Sequence, residues 1–551
     1  MEAGPNVYTI APGESFSDRL VEGLLRRHGD EPLSLSRITL LLPTRRGIRA
    51  VRDGFLRQSG GRAMLLPIMR AIGDVDEDEL LLDPGVGALD GGDLLELPPG
   101  ISALRRQLLL LHLIARQRGV DPAQAAPLAW ELADLLDRLQ TEDVPLSALA
   151  DLVPDDLAAH WQDTLAFLNL LGEPWQEILT AEGCMDQSAR RNVLLRAQAE
   201  RWRHSPPRDP VIVAGSTGSI PATEALINVV ARMPQGAVVL PGLDAYADDT
   251  AWAAVDQSHA QFGLRQLLQK IGVAREQVAP WLETGAESPR HRLLREALRP
   301  TETTEHWRRL PPLDPGAAAG LVRIDCADPI EEAGVIALCL RQALETPERT
   351  AALITPDRAL ARRVAVEMKR WDVAVDDSAG LPLAATPSGS FLRLTAEMLG
   401  SALNPIDLLA ALKHPLALGG RAPGALRAAA RDIDRLALRG PRPASGFSGL
   451  AAAMAAARDL PERAGTLLAD LTARGGDALS LCGRDKVHLA DLLTAHVHFA
   501  EWLAMDQDGK CQLWAGEGGE AAMRFIADLL AAADGLPAIS GAGYASLLNG
   551  L

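Results

Sequence analysis

The turn Pro43-Thr44-Arg45-Arg46-Gly47 directly follows an apolar run at residues 38–42 and opens a helical pattern. Arg45, Arg49 and Arg52 fall at i, i+4 and i+7, so they share one helical face. Thr44 can donate to a phosphate oxygen, and the helix N-terminus adds positive potential. The chemistry that suits this set, with Arg46 beside it, is contact with a nucleic-acid backbone. The alternative is a solvated or carboxylate-paired arginine face. A second candidate, Gly215-Ser216-Thr217-Gly218-Ser219, follows another apolar run at residues 211–214. Its small residues offer free amides and hydroxyls that can cradle a phosphate. They can equally cap the helix that starts near Pro221, with Ser219 as the cap.

Nucleotide hydrolysis needs more than the chain offers. The turn Pro12-Gly13-Glu14-Ser15 stands between a strand and a helix, where a phosphate loop would sit. It holds one glycine and no lysine, and Glu14 would repel phosphate. Only five lysines occur (Lys270, Lys369, Lys413, Lys486, Lys510), none in the first 269 residues. The acidic run of residues 73–79, Gly-Asp-Val-Asp-Glu-Asp-Glu, can hold Mg²⁺ or serve as an acidic loop or helix cap. Arg427, Arg431, Arg435 and Arg439 repeat every four residues and form a basic stripe in a chain of net charge −17. That stripe is either a binding surface or an ion-paired face. HExxH, GxSxG and spaced Cys/His ligand sets are absent, so no catalytic residue and no metal ligand is assigned. His496 and His498 read as surface or cap residues.

These candidates need elements to position them. Strand patterns at 7–11, 38–42 and 63–66 alternate with helices at 17–27 and 46–57, which predicts an α/β domain with ligands at the carboxyl ends of its strands. Residues 84–100 read as a loop, and 101–203 as an all-helical insertion. Strands at 211–214 and 237–240 resume the sheet. Residues 286–320 read as a linker. A second α/β unit is expected over 321–400, with strands at 321–324 and 351–354 and helices at 331–345 and 359–371. From 401 to 551 the pattern is helical and alanine-rich. Net acidity excludes coating nucleic acid through bulk charge but leaves room for a local basic groove. The five scattered cysteines (Cys184, Cys326, Cys339, Cys482, Cys511) fit reduced thiols. No signal peptide and no apolar run of membrane-spanning length is read, so a cytoplasmic location without membrane contact is expected.

Six segments in order resemble the AddB family of double-strand break repair proteins, in its alphaproteobacterial-type form. They are residues 40–46, 72–78, 214–223, 238–244, 352–358 and 375–380, and the resemblance runs from about residue 7 to the end. It implies a superfamily 1 helicase-like fold, with RecA-like parallel sheets and large helical insertions. Domain 1A would take residues 1–83 and 205–285, a helical 1B insertion 101–203, domain 2A would start at 321, and a 2B-like region, cut short, would fill 401–551. The resemblance implies that Pro12–Ser15 marks a degenerate nucleotide loop. It assigns Thr44, Arg45, Arg46 and Gly215–Ser219 to DNA contact, and Arg49 joins the DNA-binding set through the helical face it shares with Arg45. The implied function is a DNA-binding subunit that partners an AddA-type helicase–nuclease subunit on single strands and duplex ends. The family's iron–sulfur cluster and Mg belong to a nuclease half expected beyond residue 551, so this chain is expected to lack cofactor, motor and nuclease activity. An active ATP-dependent motor and a helical protein-interaction scaffold are the competing readings.

Overall fold

The inner strands of a six-stranded sheet come from short apolar runs: β1 (Val7–Ile10), β2 (Thr39–Leu42), β4 (Val211–Ala214) and β5 (Gly236–Pro241). Edge strands β3 (Ile68–Ala71) and β6 (Ala279–Pro280) complete the order β3-β2-β4-β5-β1-β6, with every pairing parallel. The computed structural model describes residues 5–29, 33–72, 97–152, 164–165, 167–283, 287–347 and 349–551. The acidic run at 73–79 and most of the expected loop at 84–100 lie outside the described residues.

Successive strand residues enter opposite cores. Leu40, Leu42, Ile212, Ala214 and Val239 pack with α1 (Phe16–His28) and α2 (Arg45–Gln58). Leu41, Val211, Val213, Val238 and Leu240 pack with the helices Gln187–His204, Pro221–Val230 and Phe262–Ile271. Burial on both faces is why these strands read as unbroken apolar runs. Each fully buried Leu or Val contributes roughly 1.5–3 kcal/mol.

The third strand departs from expectation. It spans Ile68–Ala71, where 63–66 is the more apolar run. Met64 and Leu66 pack against the core on the approach, after which Ile68 N–H donates to Ile38 C=O at 2.9 Å. An edge strand is less covered, so Arg70 is tolerated and the apolar signal is weak.

The chain divides into two units, residues 1–101 with 134–321 and residues 102–133 with 322–551. The stretch 286–320, expected as a linker, belongs to the sheet-bearing unit and carries the helix Pro289–Ala297. That helix is held by ion pairs of Arg295 and Glu296, so apolar periodicity could not reveal it.

In the other unit the helices Pro329–Leu344 and Arg358–Lys369 form as expected and share a small core of Ala333, Ala337, Leu360, Val364 and Met368. The strands expected at 321–324 and 351–354 do not form: among the described residues no neighbouring strand completes their hydrogen bonding. Val322 is 80% and Ile354 94% exposed. A ladder partner is what turns an apolar extended segment into a strand. Residues 387–550 are mainly helical, with Phe391, Leu471, Leu493, Phe499 and Leu529 buried among them. The helix Ala103–Arg118 joins this unit, where Arg105 donates to the C=O groups of Ala532 (2.9 Å) and Asp534 (2.6 Å) and satisfies the end of the helix Gly516–Ala532. No helix among the described residues is long and apolar enough to cross a membrane.

Candidate functional site

The two cores define where ligands can enter. From β1 and β2 the chain leaves toward the α1 and α2 face, and from β4 and β5 toward the opposite face. Connections therefore diverge at two neighbouring pairs, β2 beside β4 and β1 beside β5. Such divergence opens a crevice outside the carboxyl ends of the strands.

The β2/β4 crevice brings the first two sequence candidates together. Thr44 is extended (φ −146°) and caps α2, its Oγ1 accepting from Gly47 N–H at 3.0 Å. Beside it, Gly215 and Gly218 sit at φ +78° and +60°, backbone that side chains rarely adopt. A Cβ on Gly215 would stand 3.2 Å from Phe16 and 3.6 Å from Pro43, so the two turns pack directly against each other. Gly218 N–H donates to Ser216 Oγ at 3.2 Å. Thr44, Arg45, Arg46, Arg49 and Ser219 are exposed, and Ser216 and Thr217 are half-buried. Ser219 does not cap the next helix; Ile220 takes that position without a side-chain bond. Its hydroxyl is thus not committed to the cap.

Thr44 has a structural duty as well. Thr44→Ala is expected to cost about 1 kcal/mol, the usual worth of an N-cap, whereas Thr44→Ser should retain most of it. Urea unfolding of the two variants measures the difference.

At the β1/β5 crevice the turn of residues 12–15 spends its polar groups internally. Glu14 lies 3.3 Å from Arg19, and Ser15 Oγ donates to Asp18 Oδ2 at 2.6 Å. Pro12 lines a cavity of about 170 Å³ beside Asp244, Trp252, His291 and Arg295. Asp244 follows β5 and is 6% exposed. His291 Nε2 lies 3.6 Å from its Oδ1. Sequence reasoning missed His291 and Arg295. The available signal was Ser288-Pro289, a cap followed by a proline at the first helical position; Ser288 Oγ does accept from His291 N–H at 3.1 Å.

The basic stripe lies in the other unit. Arg427 and Arg431 project from the helix Ala425–Ile433, and a π-helical turn, Asp434–Leu438, continues toward Arg439. All four arginines are exposed, and Arg439 Nε pairs with Asp434 Oδ1 at 3.3 Å. A bond from Arg463, reinforced by the charges of Arg435 and Arg431, holds the Asp432 carboxyl below its ordinary pKa. His496, expected at the surface, is buried, while His498 is exposed.

The five cysteines are free thiols, and no three His, Cys, Asp or Glu side chains among the described residues are grouped to hold a metal ion. This donor set does not fit an iron–sulfur cluster. Compared with protein-family models and with curated proteins, the chain matches none.

Proposed function

We propose that this chain is a DNA-binding, partner-binding subunit of the AddB kind, working in the cytoplasm beside an AddA-type helicase–nuclease subunit in the processing of DNA ends. The observation that carries the reading is the packing of the turn at Pro43–Arg46 against the loop Gly215–Ser219 at one crevice. Hydroxyls, positive-φ backbone and the positive end of α2 converge there beside exposed Arg45, Arg46 and Arg49. Such a set binds the phosphates of a single strand and positions it without reading its bases.

The test is fluorescence anisotropy with a labelled oligothymidylate over a series of salt concentrations. Arg45→Ala with Arg46→Ala should weaken binding and lower the slope of log affinity against log salt by roughly 0.7 for each phosphate that is no longer neutralised. Unchanged affinity and slope would defeat the proposal. A scaffold that binds only protein is the second reading, favoured by the exposed apolar segments around Val322 and Ile354. It would be supported by partner binding without any affinity for DNA.

A further inference from the structure

We infer that the row Arg427, Arg431, Arg435 and Arg439 binds the phosphate backbone of duplex DNA without reading its sequence. The choice of DNA rests on the DNA-binding reading, but the row lies wholly in the unit of residues 102–133 and 322–551 and shares no residue with the β2/β4 crevice.

Charge is sorted across one short element. The helix Ala425–Ile433 and the π turn Asp434–Leu438 hold two acids as well as arginines, and both acids are spent. Asp432 is 9% exposed and accepts from Arg463 Nε at 2.5 Å. Asp434 lies 3.3 Å from Lys413 Nζ and 3.3 Å from Arg439 Nε. Arg427, Arg431 and Arg435 face solvent and have neither hydrogen bond nor ion pair among the described residues. Surface arginines elsewhere in this acidic chain find carboxylates, as Arg196 does with Asp143 and Arg358 with Asp377.

The row is kept in line as well as free. Four residues of an α-helix rise about 6 Å and overshoot a full turn by about 40°. Repeated steps of four would carry the arginines off their face. A π turn is wider, so four of its residues fall short of a full circle and bring Arg439 back toward the line. Successive phosphates of one duplex strand stand a comparable distance apart, and a guanidinium can fork onto each.

The surroundings select the partner. No aromatic residue occurs between Phe391 and Phe447, and Phe447 is 8% exposed. A single strand gains much of its affinity by stacking unpaired bases on aromatic side chains. A duplex keeps its bases stacked inside and needs no such surface. Leu436, at 38%, is the one large apolar side chain exposed in residues 421–446. A protein partner would want a buried aromatic or aliphatic anchor, which this row does not supply. Ala425 and Gly440 are small and exposed, so a broad phosphate backbone can approach the guanidinium groups.

The experiment uses the full chain with a labelled hairpin duplex, a labelled oligothymidylate and a labelled polyglutamate, in anisotropy titrations over a salt series. Arg427→Ala with Arg431→Ala and Arg435→Ala should weaken duplex binding at least tenfold at about 0.1 M salt and lower the slope of log affinity against log salt by about 2.7, roughly 0.9 for each phosphate released. Alanine favours an exposed helix, so urea unfolding of this variant should match that of the parent. Lysine at the same three positions keeps the charges and should retain the slope. Oligothymidylate affinity should change by about twofold or less, because its bases find nothing to stack on here. If the triple alanine variant binds duplex as the parent does, the inference is overturned; loss of oligothymidylate binding in Arg45→Ala with Arg46→Ala would then leave the DNA-binding reading standing. If the triple variant loses duplex while the Arg45 and Arg46 changes leave oligothymidylate binding untouched, the row stands and the crevice reading fails. If the triple variant loses polyglutamate but not duplex, the row is a face for an acidic protein and the inference is overturned. If the parent binds neither DNA, both readings fall.

Discussion

Arg299→Met is expected to lower the stability of the sheet-bearing unit by about 3–5 kcal/mol. The Arg299 side chain is 3% exposed and that of Glu296 5%. Arg299 donates through Nε to Glu296 Oε2 at 2.8 Å and through Nη2 to Oε1 at 3.1 Å, a two-point grip on one carboxylate. The same Nη2 reaches Asp248 Oδ2 at 2.7 Å. Burial alone pushes the Glu296 pKa up, but the bonds and charge of Arg299 outweigh it and hold the carboxyl below its ordinary value. Asp248 is likewise held low, against burial, by bonds from Thr250 and Arg299. Methionine keeps the volume and removes every donor, so Glu296 is left charged and buried without its partner. It then has to protonate or drag water inward. Glu296→Leu combined with Arg299→Met should recover much of the loss, because two apolar groups no longer need each other. Urea unfolding at neutral pH reads all three variants. Glu296 is depressed in the folded protein, so its contribution is present above its unfolded pKa and fades as pH falls; the penalty of the single variant should shrink in acid. A single variant within 1 kcal/mol of the parent would mean that the pair is solvated.

How far such features can be read from sequence depends on what hides them. The inner strands β2 and β4 were legible because both faces are covered, which forces unbroken apolar runs. β3 was displaced and β6 missed because edge strands carry less of that signal, and β6 is only Ala279-Pro280. The strands at 321–324 and 351–354 show the converse: their apolar composition is real, but composition cannot supply a neighbour. Thr44 and Gly215 could be named from their places after strands. That Gly215 lies against Pro43 could not, since it depends on β2 pairing with β4 across about 170 intervening residues. The cavity was illegible for the same reason. Its polar lining joins the loop after β5 to a helix whose contacts are ionic, and neither carries a periodic apolar pattern.

His496 presents a still larger gap between sequence and structure, and it carries the second large effect. Acidification from pH 7 should cost the helical unit roughly 2 kcal/mol by pH 5 and about 3 kcal/mol by pH 4 through this one residue. The ring is 1% exposed on the helix Leu489–Leu503. Its Nε2 lies 2.8 Å from Thr395 Oγ1 and its Nδ1 2.8 Å from the buried hydroxyl of Tyr544. Thr395 has one hydroxyl hydrogen, directed at the C=O groups of Phe391 (2.9 Å) and Leu392 (3.0 Å). Nε2 must therefore carry the proton and donate to Thr395, and Nδ1 must accept from Tyr544. The triad is satisfied only while the imidazole is neutral. A second ring proton would meet the Tyr544 hydroxyl hydrogen in a site with no water-facing side. Burial accordingly pushes the His496 pKa from 6.5 down to about 4. Unfolded, the ring protonates near 6.5; folded, near 4. Between those values the unfolded state binds more protons, so stability is fully present above about pH 7 and drains as pH falls through the window. The ring signals of folded protein should stay those of neutral imidazole to below about pH 5, and His496→Gln should flatten the acid slope of unfolding. A folded-state titration near 6.5 would sink the argument. The three helices that the triad ties, Pro387–Gly400, Leu489–Leu503 and Tyr544–Gly550, should then lose amide-exchange protection together in acid. Their joint opening would separate a shared buried switch from general acid loosening of the surface.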